Sequence, residues 1–570
     1  MERSEQQQQR IEALEALRAM GVEPYPAALY PVTHTAAQAL AQFDSLSAQQ
    51  AEVCLAGRIR ARRIMGSASF FTLQDEHGSI QVYVRRDDLC PDEDKTLYNV
   101  LFKKLLDLGD IVGVRGTLFR TQTGEMSLHA RELTLLAKAI RPLPVVKEKD
   151  GQVFDAFTDP EQRYRQRYVD LALNADTKRT FRQRQAIIAA MRAFFDAQGY
   201  LEVETPVLQP LAGGASARPF ITHHNALDIP LYLRIADELY LKRLIVGGFD
   251  GVYEFAKDFR NEGMDRTHNP EFSLLEIYVA YKDYLWMMDF VEEMLVHAAT
   301  AVHGGTTFTN RGETISLARP FRRLTMADAI REYGGVDIET LDDAGLYEAC
   351  RARGAAVDGT MGRGKLIDTL FGVTAEEHLI QPTFITDYPV EMSPLCKRHR
   401  HDASLTERFE LYVNGSELCN AYSELNDPID QLERFQAQMR LAEKGDQEAM
   451  VIDYDYVRAM EYGMPPCAGM GIGIDRLVML LLDKPSVQDV ILFPQMRPER
   501  RPQHDDDAAF EAAGVPQEWI KPLRALGYNS LDVLRGAKPT KLVNDLRGYA
   551  KQQKLSLPPL TPETIETWQR

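Results

Sequence analysis

The sequence lacks the features of a secreted, membrane-spanning or disulfide-stapled protein. Its six cysteines are scattered, and no two of them form a Cys-x-x-Cys pair, which argues against a disulfide framework and a zinc ribbon. The N-terminal stretch is charged and has no apolar core like that of a signal peptide. No apolar run approaches the ~20 residues of a membrane-spanning helix. We therefore predict a soluble, cytoplasmic protein with reduced thiols and no membrane partner.

The chain also has no excess of basic charge. It contains 83 Asp and Glu residues against 66 Lys and Arg residues, a formal net charge of -17. This balance argues against a protein whose whole surface binds nucleic acid, so any nucleic-acid contact must be local. With 570 residues, of which 45% are apolar, the chain is long enough for three or four domains.

Changes of pattern along the chain predict its organisation. Short alternating runs with turn signals are typical of a Greek-key barrel, and long strands joined by hairpin signals are typical of an α+β domain with a mainly antiparallel sheet. The predicted segments are an N-terminal helix and lead-in (1–50), an all-β OB-fold barrel (51–140), a linker (141–160), an α+β domain (161–497) with a helical insertion (about 325–380), an acidic linker (498–511) and a small helical extension (512–570).

A predicted hairpin between residues 252 and 280 carries polar side chains on one face. Alternation along the strands sorts the residues by face. The polar face contains Glu254, Asp258, Arg260 and Glu262 on the first arm and Phe272, Glu276 and Tyr278 on the second. The connecting loop holds His268 and Asn269. Such a face can bind a phosphate, a flat ring and an ammonium group; the alternative is an amphipathic hairpin with a solvated side.

A second hairpin is indicated by Asn414-Gly415, a strong two-residue turn signal. With that turn, Tyr412 faces Glu417 and Glu410 faces Cys419. The two glutamates then become diagonal neighbours, a pair of carboxylates suited to Mg²⁺ beside a nucleotide. The alternative is a pair of surface glutamates.

A third pattern, PPCAGMGIGIDRLVMLL, has glycine at every second position: Gly469, Gly471 and Gly473. One strand face therefore lacks side chains, which lets a flat ligand approach the backbone. Arg476 follows at the start of an apolar helix, where a phosphate is favoured. Tight helix packing is the alternative explanation for the glycines.

Together the three patterns resemble the signature motifs of class II aminoacyl-tRNA synthetases, in the form found in the lysyl enzymes. FRNE, HNPEF and LLEIY resemble motif 2, and the glycine-rich strand resembles motif 3. FFDAQGYLEVETPVLQP resembles motif 1, which implies a homodimer. The resemblance covers about residues 10 to 497. It implies catalytic roles for Arg260 and Arg476, Mg²⁺ bound by Glu410 and Glu417, and an ATP site formed by Arg260, Glu262, His268, Asn269, Phe272, Glu410, Glu417 and Arg476.

The same resemblance implies a lysine pocket. Its implied residues are Gly214, Glu238, Arg260, Glu276, Tyr278, Asn420, Tyr422 and Glu424. Several carboxylates against few cations favour an ε-ammonium and would repel an aspartate side chain. Glu417 and Asn420 are three residues apart, so a regular strand would place their side chains on opposite faces. Since both are expected at the site, we predict a bulge between these residues.

Nucleic-acid contact is expected on the barrel. Arg58, Arg60 and Arg62 alternate along one predicted strand and form a local positive stripe, which suits single-stranded RNA. By resemblance, the anticodon of lysine tRNA is bound by Arg63, Phe70, Gln81 and Glu132. An ordinary barrel also has surface arginines and core phenylalanines, so the pattern alone leaves both explanations open.

The implied function is that of a lysine-tRNA ligase, with ATP, L-lysine and tRNA(Lys) as substrates. Adenylate formation brings two anions together, and a fixed guanidinium offsets their repulsion. The alternatives are an aspartyl- or asparaginyl-type enzyme, a ligase that places lysine on a protein, and a noncatalytic RNA-binding paralogue. The extension resembles helix-hairpin-helix units, although a protein-binding or solubilising module is equally compatible with it.

Overall fold

The computed structural model describes residues 3–144, 147–149, 152–154, 157–215, 217–358, 361–443, 450–498, 505–553, 555 and 557–569. The chain forms two compact units, Met1–Phe181 and Arg182–Arg570. The boundary between them falls inside the helix α7 (Ala175–Asp196).

A closed β-barrel forms the centre of the first unit. Its strands are β1 (Glu52–Met65), β2 (Ala68–Gln74), β3 (Ser79–Arg85), β4 (Ile111–Arg120) and β5 (Met126–Ala137). They follow the order β1-β2-β3-β5-β4 around the barrel. Every second side chain of β2 and β3 points inward, and Phe71, Leu73, Val82 and Val84 are buried there. The predicted all-β OB-fold barrel is confirmed, with five strands.

Short helices and a small hairpin accompany the barrel. They are α1 (Glu5–Ala19), α2 (Ala36–Ala41), α3 (Phe43–Ala48), α4 (Arg86–Leu89), a π-helix (Leu97–Leu105), the hairpin β6 (Lys147–Lys149) and β7 (Gln152–Phe154), α5 (Pro160–Arg165) and α6 (Arg167–Leu173). Ser4 caps α1 in a capping box with Gln7, since each side chain bonds to the backbone of the other. Helices α5 and α6 lie in the first unit, because its boundary comes after Phe181.

In the described part of the second unit, eight strands form one sheet. They are β8 (Leu201–Glu202), β12 (Gly251–Phe259), β13 (Glu271–Ala280), β16 (Arg322–Thr325), β17 (Thr383–Pro389), β18 (Leu405–Val413), β19 (Ser416–Ser423) and β20 (Cys467–Gly473). Their order is β16-β17-β18-β19-β20-β13-β12-β8. The pairs β16–β17 and β12–β8 are parallel and the other pairs are antiparallel. The expected mainly antiparallel α+β fold is confirmed.

The sheet is apolar on one face and polar on the other. Leu275 and Ile277 of β13 and Met470 of β20 join the core formed with α7, α9 (Tyr284–His303) and α15 (Ile474–Leu481). Since successive side chains of a strand alternate between faces, Glu276 and Tyr278 point to the opposite face. A second core closes the end of that face with α8 (Glu238–Val246), α13 (Pro428–Glu443) and α14 (Tyr454–Glu461).

The remaining elements of this unit are short. They are the strands β9 (Leu208–Gln209), β10 (Ile221–His224), β11 (Ile229–Leu233), β14 (Thr307–Asn310) and β15 (Glu313–Ser316), the helices α10 (Met326–Gly334), α11 (Asp343–Arg351), α12 (Arg363–Thr374) and α16 (Val487–Val490), and 3-10 turns at Ile338–Thr340, Glu376–His378 and Val390–Met392. Helices α10 to α12 share a core of their own around Leu346, Leu370 and Phe371.

The C-terminal segment is helical. Its helices are α17 (Asp507–Ala512), α18 (Gln517–Ala525), α19 (Leu531–Arg535), α20 (Pro539–Gln552) and α21 (Pro562–Trp568). They enclose a core that includes Phe510, Trp519 and Trp568. Helix α17 begins within the stretch expected to be an acidic linker, because Asp506 caps it by accepting from the N–H of Ala509. Among the described residues, none of the helices is both long and apolar enough to span a membrane.

Candidate active site

A cavity of about 540 Å³ opens on the polar face of the large sheet. Most of the residues expected to bind ATP and lysine line this one cavity: Gly214, Glu238, Arg260, Glu262, His268, Asn269, Phe272, Glu276, Tyr278, Glu417, Asn420, Tyr422 and Arg476. Glu410 and Glu424 are the two exceptions and do not line the cavity. Segments more than 200 residues apart in sequence therefore meet at one place.

Arg260 lies at one end of the cavity, directly after β12. Its backbone N–H donates to Pro270, and its guanidinium lies 5.1 Å from the ring centroid of Phe272. Its Nε is buried and has no hydrogen-bond partner among the described residues. A fixed guanidinium with a spare donor suits a phosphate or a carboxylate. Arg260 and Glu262 lie just beyond the strand, whereas Glu254 and Asp258 share the predicted face with Phe272 and Glu276.

The loop of this hairpin connects to the third motif. Nδ1 of His268 lies 2.9 Å from Asp265, and Nε2 lies 3.1 Å from Nη2 of Arg476. Because the guanidinium can only donate, Nε2 accepts from Arg476, and Nδ1 is the atom that donates to Asp265. Partial burial raises the pKa of Asp265, but hydrogen bonds from Thr267 and His268 outweigh it and hold that pKa well below its usual range. The imidazole thus aligns Arg476 toward the cavity.

Asn269 is tied to the backbone rather than pointing freely into the cavity. Its Nδ2 donates to the carbonyl of Glu271 at 2.6 Å, and its Oδ1 accepts from the N–H of Gln495 at 3.2 Å. Glu262 is exposed at the cavity rim. Asn269 and Glu262 therefore differ, since among the described residues the Glu262 side chain has no such bond to the backbone.

The hairpin of β18 and β19 confirms the predicted bulge. Asn414 and Gly415 both have positive φ, and Tyr412 pairs with Glu417 as expected. The register then shifts between Leu411 and Tyr412, so that Leu411 pairs with Cys419. One extra residue in β19 brings Glu417 and Asn420 to the same face, and both line the cavity.

The expected pairing of Glu410 with Cys419 is wrong. Glu410 pairs with Asn420, because the bulge moves the partner strand by one residue. Its carboxylate accepts from Arg408 at 2.6 Å, from Tyr388 at 2.9 Å and from Tyr412 at 2.7 Å. Among the described residues, one of its oxygens accepts a single hydrogen bond, which leaves a lone pair for a further ligand.

Glu417 completes this acidic pair. One of its oxygens lies 3.3 Å from Nη1 of Arg476. Burial raises the pKa of Glu417, and repulsion by Glu410 raises it further against the attraction of Arg476 and Arg408. A cation bound beside these two carboxylates would relieve this repulsion.

The other end of the cavity is acidic and aromatic. Glu238 accepts from the hydroxyl of Tyr422, with both oxygens at 2.8 Å. The ammonium of Lys242 is fully buried and pairs with both Glu238 and Glu424. Burial lowers the pKa of Lys242, but the two carboxylates outweigh it and raise this pKa well above its usual value. The expectation of few cations is therefore corrected, because Lys242 already neutralises one of the carboxylates.

Glu276, also at this end, has no cationic partner among the described residues. It accepts from the hydroxyl of Tyr278 at 3.0 Å and from the N–H of Asp237 at 3.4 Å. Burial raises its pKa to about 8, with further contributions from the charges of Glu238 and Asp258. A positively charged ligand would reverse this shift by stabilising the carboxylate.

The glycine-rich strand β20 only partly fits its expected role as a bare floor. A Cβ at Gly469 would lie 2.1 Å from Oε1 of Glu424 and 2.3 Å from the ring of Tyr278, so this glycine is covered by side chains. A Cβ at Gly471 or Gly473 would have no neighbour nearer than 3.8 Å. The open floor therefore consists of Gly471 and Gly473.

The barrel of the first unit has a separate recess of about 610 Å³. Arg63, Phe70 and Gln81 line it, and Phe70 lies 5.1 Å from the ring of Tyr83. Glu132 lies outside the recess, paired with Arg115 at 3.4 Å. The structure thus brings together three of the four residues expected to bind the anticodon.

The expected positive stripe on β1 is wrong. Arg58 donates to the carbonyl of Gly109, Arg60 to that of Ala172, and Arg62 to those of Phe102 and Leu106. These partly buried guanidinium groups donate to backbone carbonyls of the same unit and are not free to bind RNA. Arg63 is exposed, and its side chain makes no hydrogen bond with another described residue, so its charge is available to a ligand in the recess.

Sequence reasoning missed Arg408 and Lys242. Arg408 lines the cavity and donates to Asn420 at 3.0 Å as well as to Glu410, so it holds both of these residues. Its place two residues before Glu410 on the same strand face was an available signal. Lys242 lies one helical turn after Glu238, an i, i+4 spacing that favours ion pairs. In both cases the residue contacts one of the expected site residues.

Comparison with known proteins identifies two families that match this chain. Residues 159–497 match the family described as tRNA synthetases class II (D, K and N), and residues 53–136 match the OB-fold nucleic acid binding domain. A relative named lysine-tRNA ligase from Porphyromonas gingivalis is 58% identical over 570 residues, which cover 100% of this chain and 99% of the relative. One from Christiangramia forsetii is 59% identical over 558 residues, 97% of this chain and 96% of the relative.

The relatives differ in length. One from Azobacteroides pseudotrichonymphae, also named lysine-tRNA ligase, is 57% identical over 497 residues, 87% of this chain and 99% of the relative. The C-terminal extension was expected to lie outside the family's shared length, but full-length similarity to the Porphyromonas protein shows that some relatives share it. On the match of its central domain and these full-length similarities, the chain belongs to the class II tRNA synthetases of the D, K and N group.

Proposed function

We propose that the chain is a lysine-tRNA ligase, which activates L-lysine with ATP and transfers it to the 3′ end of tRNA(Lys). The observation that carries this proposal is the charge pattern of a single cavity. Arg260 and Arg476 lie at one end, and Glu238, Glu276 and Tyr278 lie at the other. A nucleotide phosphate and a cationic amino acid would each meet a complementary end of the same space. The names of the similar proteins support the same substrates.

In the first step, the carboxylate of lysine attacks the α-phosphorus of ATP. A new oxygen–phosphorus bond forms, the bond to the bridging oxygen breaks, and pyrophosphate leaves. Arg260 offers its unpartnered Nε to the α-phosphate or the carboxylate, and Phe272 beside it offers a flat surface to adenine. Arg476, aligned by His268, supplies positive charge near the leaving phosphates. Positioning and charge stabilisation account for the rate, without a covalent enzyme intermediate.

The choice of lysine follows from the acidic end. Glu276 is buried and has no cationic partner of its own, so an incoming ammonium would stabilise its ionised form. Tyr278 and Tyr422 add aromatic faces and hydroxyl groups around the same space. An aspartate side chain would be repelled there, and an asparagine side chain would leave the carboxylate without a counterion.

Mg²⁺ is the metal ion that we propose for ATP binding. The fit is supported by Glu417, which lines the cavity, by the free lone pair of Glu410, and by the mutual repulsion of these two carboxylates. Oxygen ligands from one or two carboxylates together with phosphate oxygens are what Mg²⁺ prefers. When bound, the ion would neutralise phosphate charge and orient the polyphosphate. Arg408 and Tyr388 hold Glu410 in place for this role.

In the second step, the terminal hydroxyl of the tRNA attacks the activated carbonyl, and AMP leaves. The barrel recess supports binding of the anticodon, because it combines the exposed Arg63 with the ring of Phe70. Base stacking on such a ring is worth roughly 1 to 3 kcal/mol per base. We include Glu132 in the anticodon site by family resemblance, although it lies outside the recess.

We also propose that the chain forms a homodimer through the segment after α7. Exposed apolar side chains concentrate there, at Leu201, Val207, Leu208, Leu211, Ile221, Leu227 and Ile229. The short strand β8 lies at an open edge of the large sheet. Exposed apolar side chains in one segment of the chain, together with an open sheet edge, favour a second copy of the chain. Light scattering coupled to size exclusion will report twice the 64.5 kDa of one chain; a monomer at micromolar concentration would contradict the proposal.

Amino-acid-dependent exchange between ATP and pyrophosphate tests the function. Exchange should depend on lysine, with aspartate and asparagine giving no stimulation. Stimulation by aspartate alone would assign the chain to the aspartyl group, and no stimulation by any of the three would favour a noncatalytic RNA-binding protein. Charging of tRNA after exchange distinguishes a tRNA ligase from a ligase that places lysine on a protein.

A further inference from the structure

Behind the acidic end of the cavity, two aspartates lie against Glu276. Asp237 precedes α8, and Asp258 lies near the end of β12. Each of these two and Glu276 offers an oxygen within 4.8 Å of the others. Asp237 and Asp258 are 0% exposed and Glu276 is 5% exposed. Neither aspartate lines the cavity, so the proposed reaction does not use them directly.

Positive charge around these carboxyl groups is scarce. Nε of Arg234 lies 3.2 Å from Asp237 and 3.2 Å from Asp258, and its Nη1 lies 2.7 Å from Glu254. One guanidinium is therefore the cationic partner of three carboxyl groups. Its Nε hydrogen, however, is donated to the carbonyl of Lys257 at 2.9 Å. The other charged groups around the aspartates are Glu238, Arg260 and Glu276.

The oxygens of both aspartates have no hydrogen-bond donor among the described residues when both groups are taken as ionised. Two ionised carboxylates accept hydrogen bonds only, so they cannot satisfy each other. A proton on one of them turns it into a donor and creates a bond to its neighbour. It also removes one of the negative charges that Arg234 cannot balance.

We propose that Asp237 and Asp258 share one proton and act as positioning residues of the substrate cavity, with Asp237 as the protonated donor and Asp258 as the ionised acceptor. The pair joins the two ends of the cavity. Asp258 pairs with Phe272 across the hairpin and lies two residues before Arg260, while the N–H of Asp237 donates to Glu276. The pair thus holds the phosphate end and the ammonium end at a fixed separation. This inference rests on the proposed function for its effect on catalysis.

The acid–base behaviour of the two groups supports this assignment. Burial raises the pKa of Asp237 to about 10, and the charges of Glu276 and Asp258 add to the effect. Burial also raises the pKa of Asp258, but Arg234, Arg260 and the hydrogen bond from Asp237 limit it to about 6. Around pH 7 to 8 the pair therefore carries a single proton.

Substitution with asparagine distinguishes the protonated donor, Asp237, from the ionised acceptor, Asp258. In Asp237→Asn the side-chain amide keeps a donor toward Asp258 and has no acid to ionise. The wild-type pKa of Asp237 lies above its unfolded value of 3.8, so its contribution to stability declines as pH rises toward about 10. Asp237→Asn should therefore raise the melting temperature, and more strongly at pH 9 than at pH 6. It should also retain more of the kcat/KM for lysine than Asp258→Asn does.

Asp258→Asn should lower kcat/KM for lysine by about 10- to 100-fold, the usual effect of removing a partner that orients a functional group. Asp289→Asn is the matched control, because it removes an exposed carboxylate that pairs with Arg323. It should change neither the pH profile nor kcat/KM.

Three results would overturn the proposal. The first is a lower melting temperature for Asp237→Asn at every pH. The second is equal loss of lysine kcat/KM in both variants. The third is stabilisation of the free wild-type protein by added Mg²⁺ or Ca²⁺ that both substitutions abolish, since that would identify a metal site. If the wild type shows no lysine-dependent exchange, the proposed function fails, whereas the melting profiles of the free protein still test the shared proton.

Discussion

Arg260 is held in the cavity by its backbone and by the ring of Phe272, without an ion pair to any other described residue. The N–H groups of its guanidinium are therefore available to a substrate. We expect Arg260→Lys to lower kcat of lysine-dependent exchange by about 10²- to 10³-fold, because a single ammonium cannot reproduce a fixed bidentate contact. The melting temperature should stay near that of the wild type. Arg323→Lys, at an exposed ion pair, is the control, and an equal loss there would contradict the role of Arg260.

We expect Glu276 to make lysine binding depend on pH. Its pKa in the empty cavity is raised to about 8, first by burial and then by Glu238 and Asp258. Below that pH the group is mostly protonated, and an ammonium ligand must displace the proton. KM for lysine should therefore fall as pH rises from 6 to 8, by up to about tenfold per unit. Measuring KM for lysine across this range tests the idea.

Glu276→Gln supplies the control for that experiment. The amide has nearly the same shape but does not titrate, so KM for lysine should be high and nearly independent of pH. A variant that retains the pH dependence of the wild type would assign it to another group.

Single residues were the least predictable part of the site. Glu238, Glu276 and Tyr422 were expected at the cavity, and they line it. The pairing of Lys242 with both Glu238 and Glu424 was not expected, because it depends on segments that lie 182 residues apart in sequence. The same is true of Arg58, Arg60 and Arg62, whose spacing indicates a strand face but does not reveal which carbonyls lie beside it.

At the scale of elements, strand β20 allows a matched pair of substitutions. In Gly469→Ala the new methyl group meets Glu424 and Tyr278 at 2.1 and 2.3 Å, so the strand or its neighbours must move. Overpacking of this kind typically costs about 1–3 kcal/mol, and we expect a lower free energy of unfolding. In Gly471→Ala the nearest atom is 3.8 Å away, so stability should be retained while KM for ATP rises. Urea unfolding together with exchange kinetics measures both.

The two outcomes can be told apart. Equal destabilisation by both substitutions would mean that the glycines serve packing alone. A change of KM for ATP in Gly471→Ala without loss of stability would support a nucleotide above the bare strand.

Hairpins were the most predictable elements. The Asn414-Gly415 turn and the faces of β12 and β13 follow from local chemistry and strand alternation. The bulge in β19 could be predicted because Glu417 and Asn420 had to share a face across an odd step. The exact register could not, since one inserted residue shifts every later pair, and Glu410 consequently faces Asn420.

At the scale of the whole molecule, we expect substitutions to affect tRNA binding and lysine activation independently. The barrel recess and the cavity lie in different units. Phe70→Ala should raise KM for tRNA by about 5- to 150-fold, the equivalent of roughly 1 to 3 kcal/mol of base stacking. It should leave lysine-dependent exchange, which needs no tRNA, unchanged. A loss of exchange equal to the loss of charging would contradict this division.

The C-terminal helices have a core of their own, and two of the three tryptophans, Trp519 and Trp568, lie in it. Trp519→Ala should destabilise this core by about 3–5 kcal/mol, since the side chain is 2% exposed. Lysine-dependent exchange should persist, in line with the shorter relative, which is 57% identical over 497 residues. Fluorescence of the two remaining tryptophans during thermal unfolding measures the first effect. Parallel loss of exchange would show that the catalytic unit depends on the extension.

The broad architecture could be predicted because hairpin signals and alternation specify an antiparallel sheet, and both the barrel and the large sheet are present. The start of the C-terminal helices could not be predicted as well. The acidic run before residue 512 suggested a linker, whereas Asp506 and Asp507 serve as the cap and first turn of α17.

A crystal structure with a non-hydrolysable analogue of lysyl-adenylate tests the central claim most directly, because the analogue carries both substrates in one molecule. We expect its phosphate-mimicking group within hydrogen-bonding distance of Arg260, its adenine against Phe272, and its ammonium groups at Glu238, Glu276 and Tyr278. An analogue bound in the opposite direction, or outside this cavity, would contradict the account.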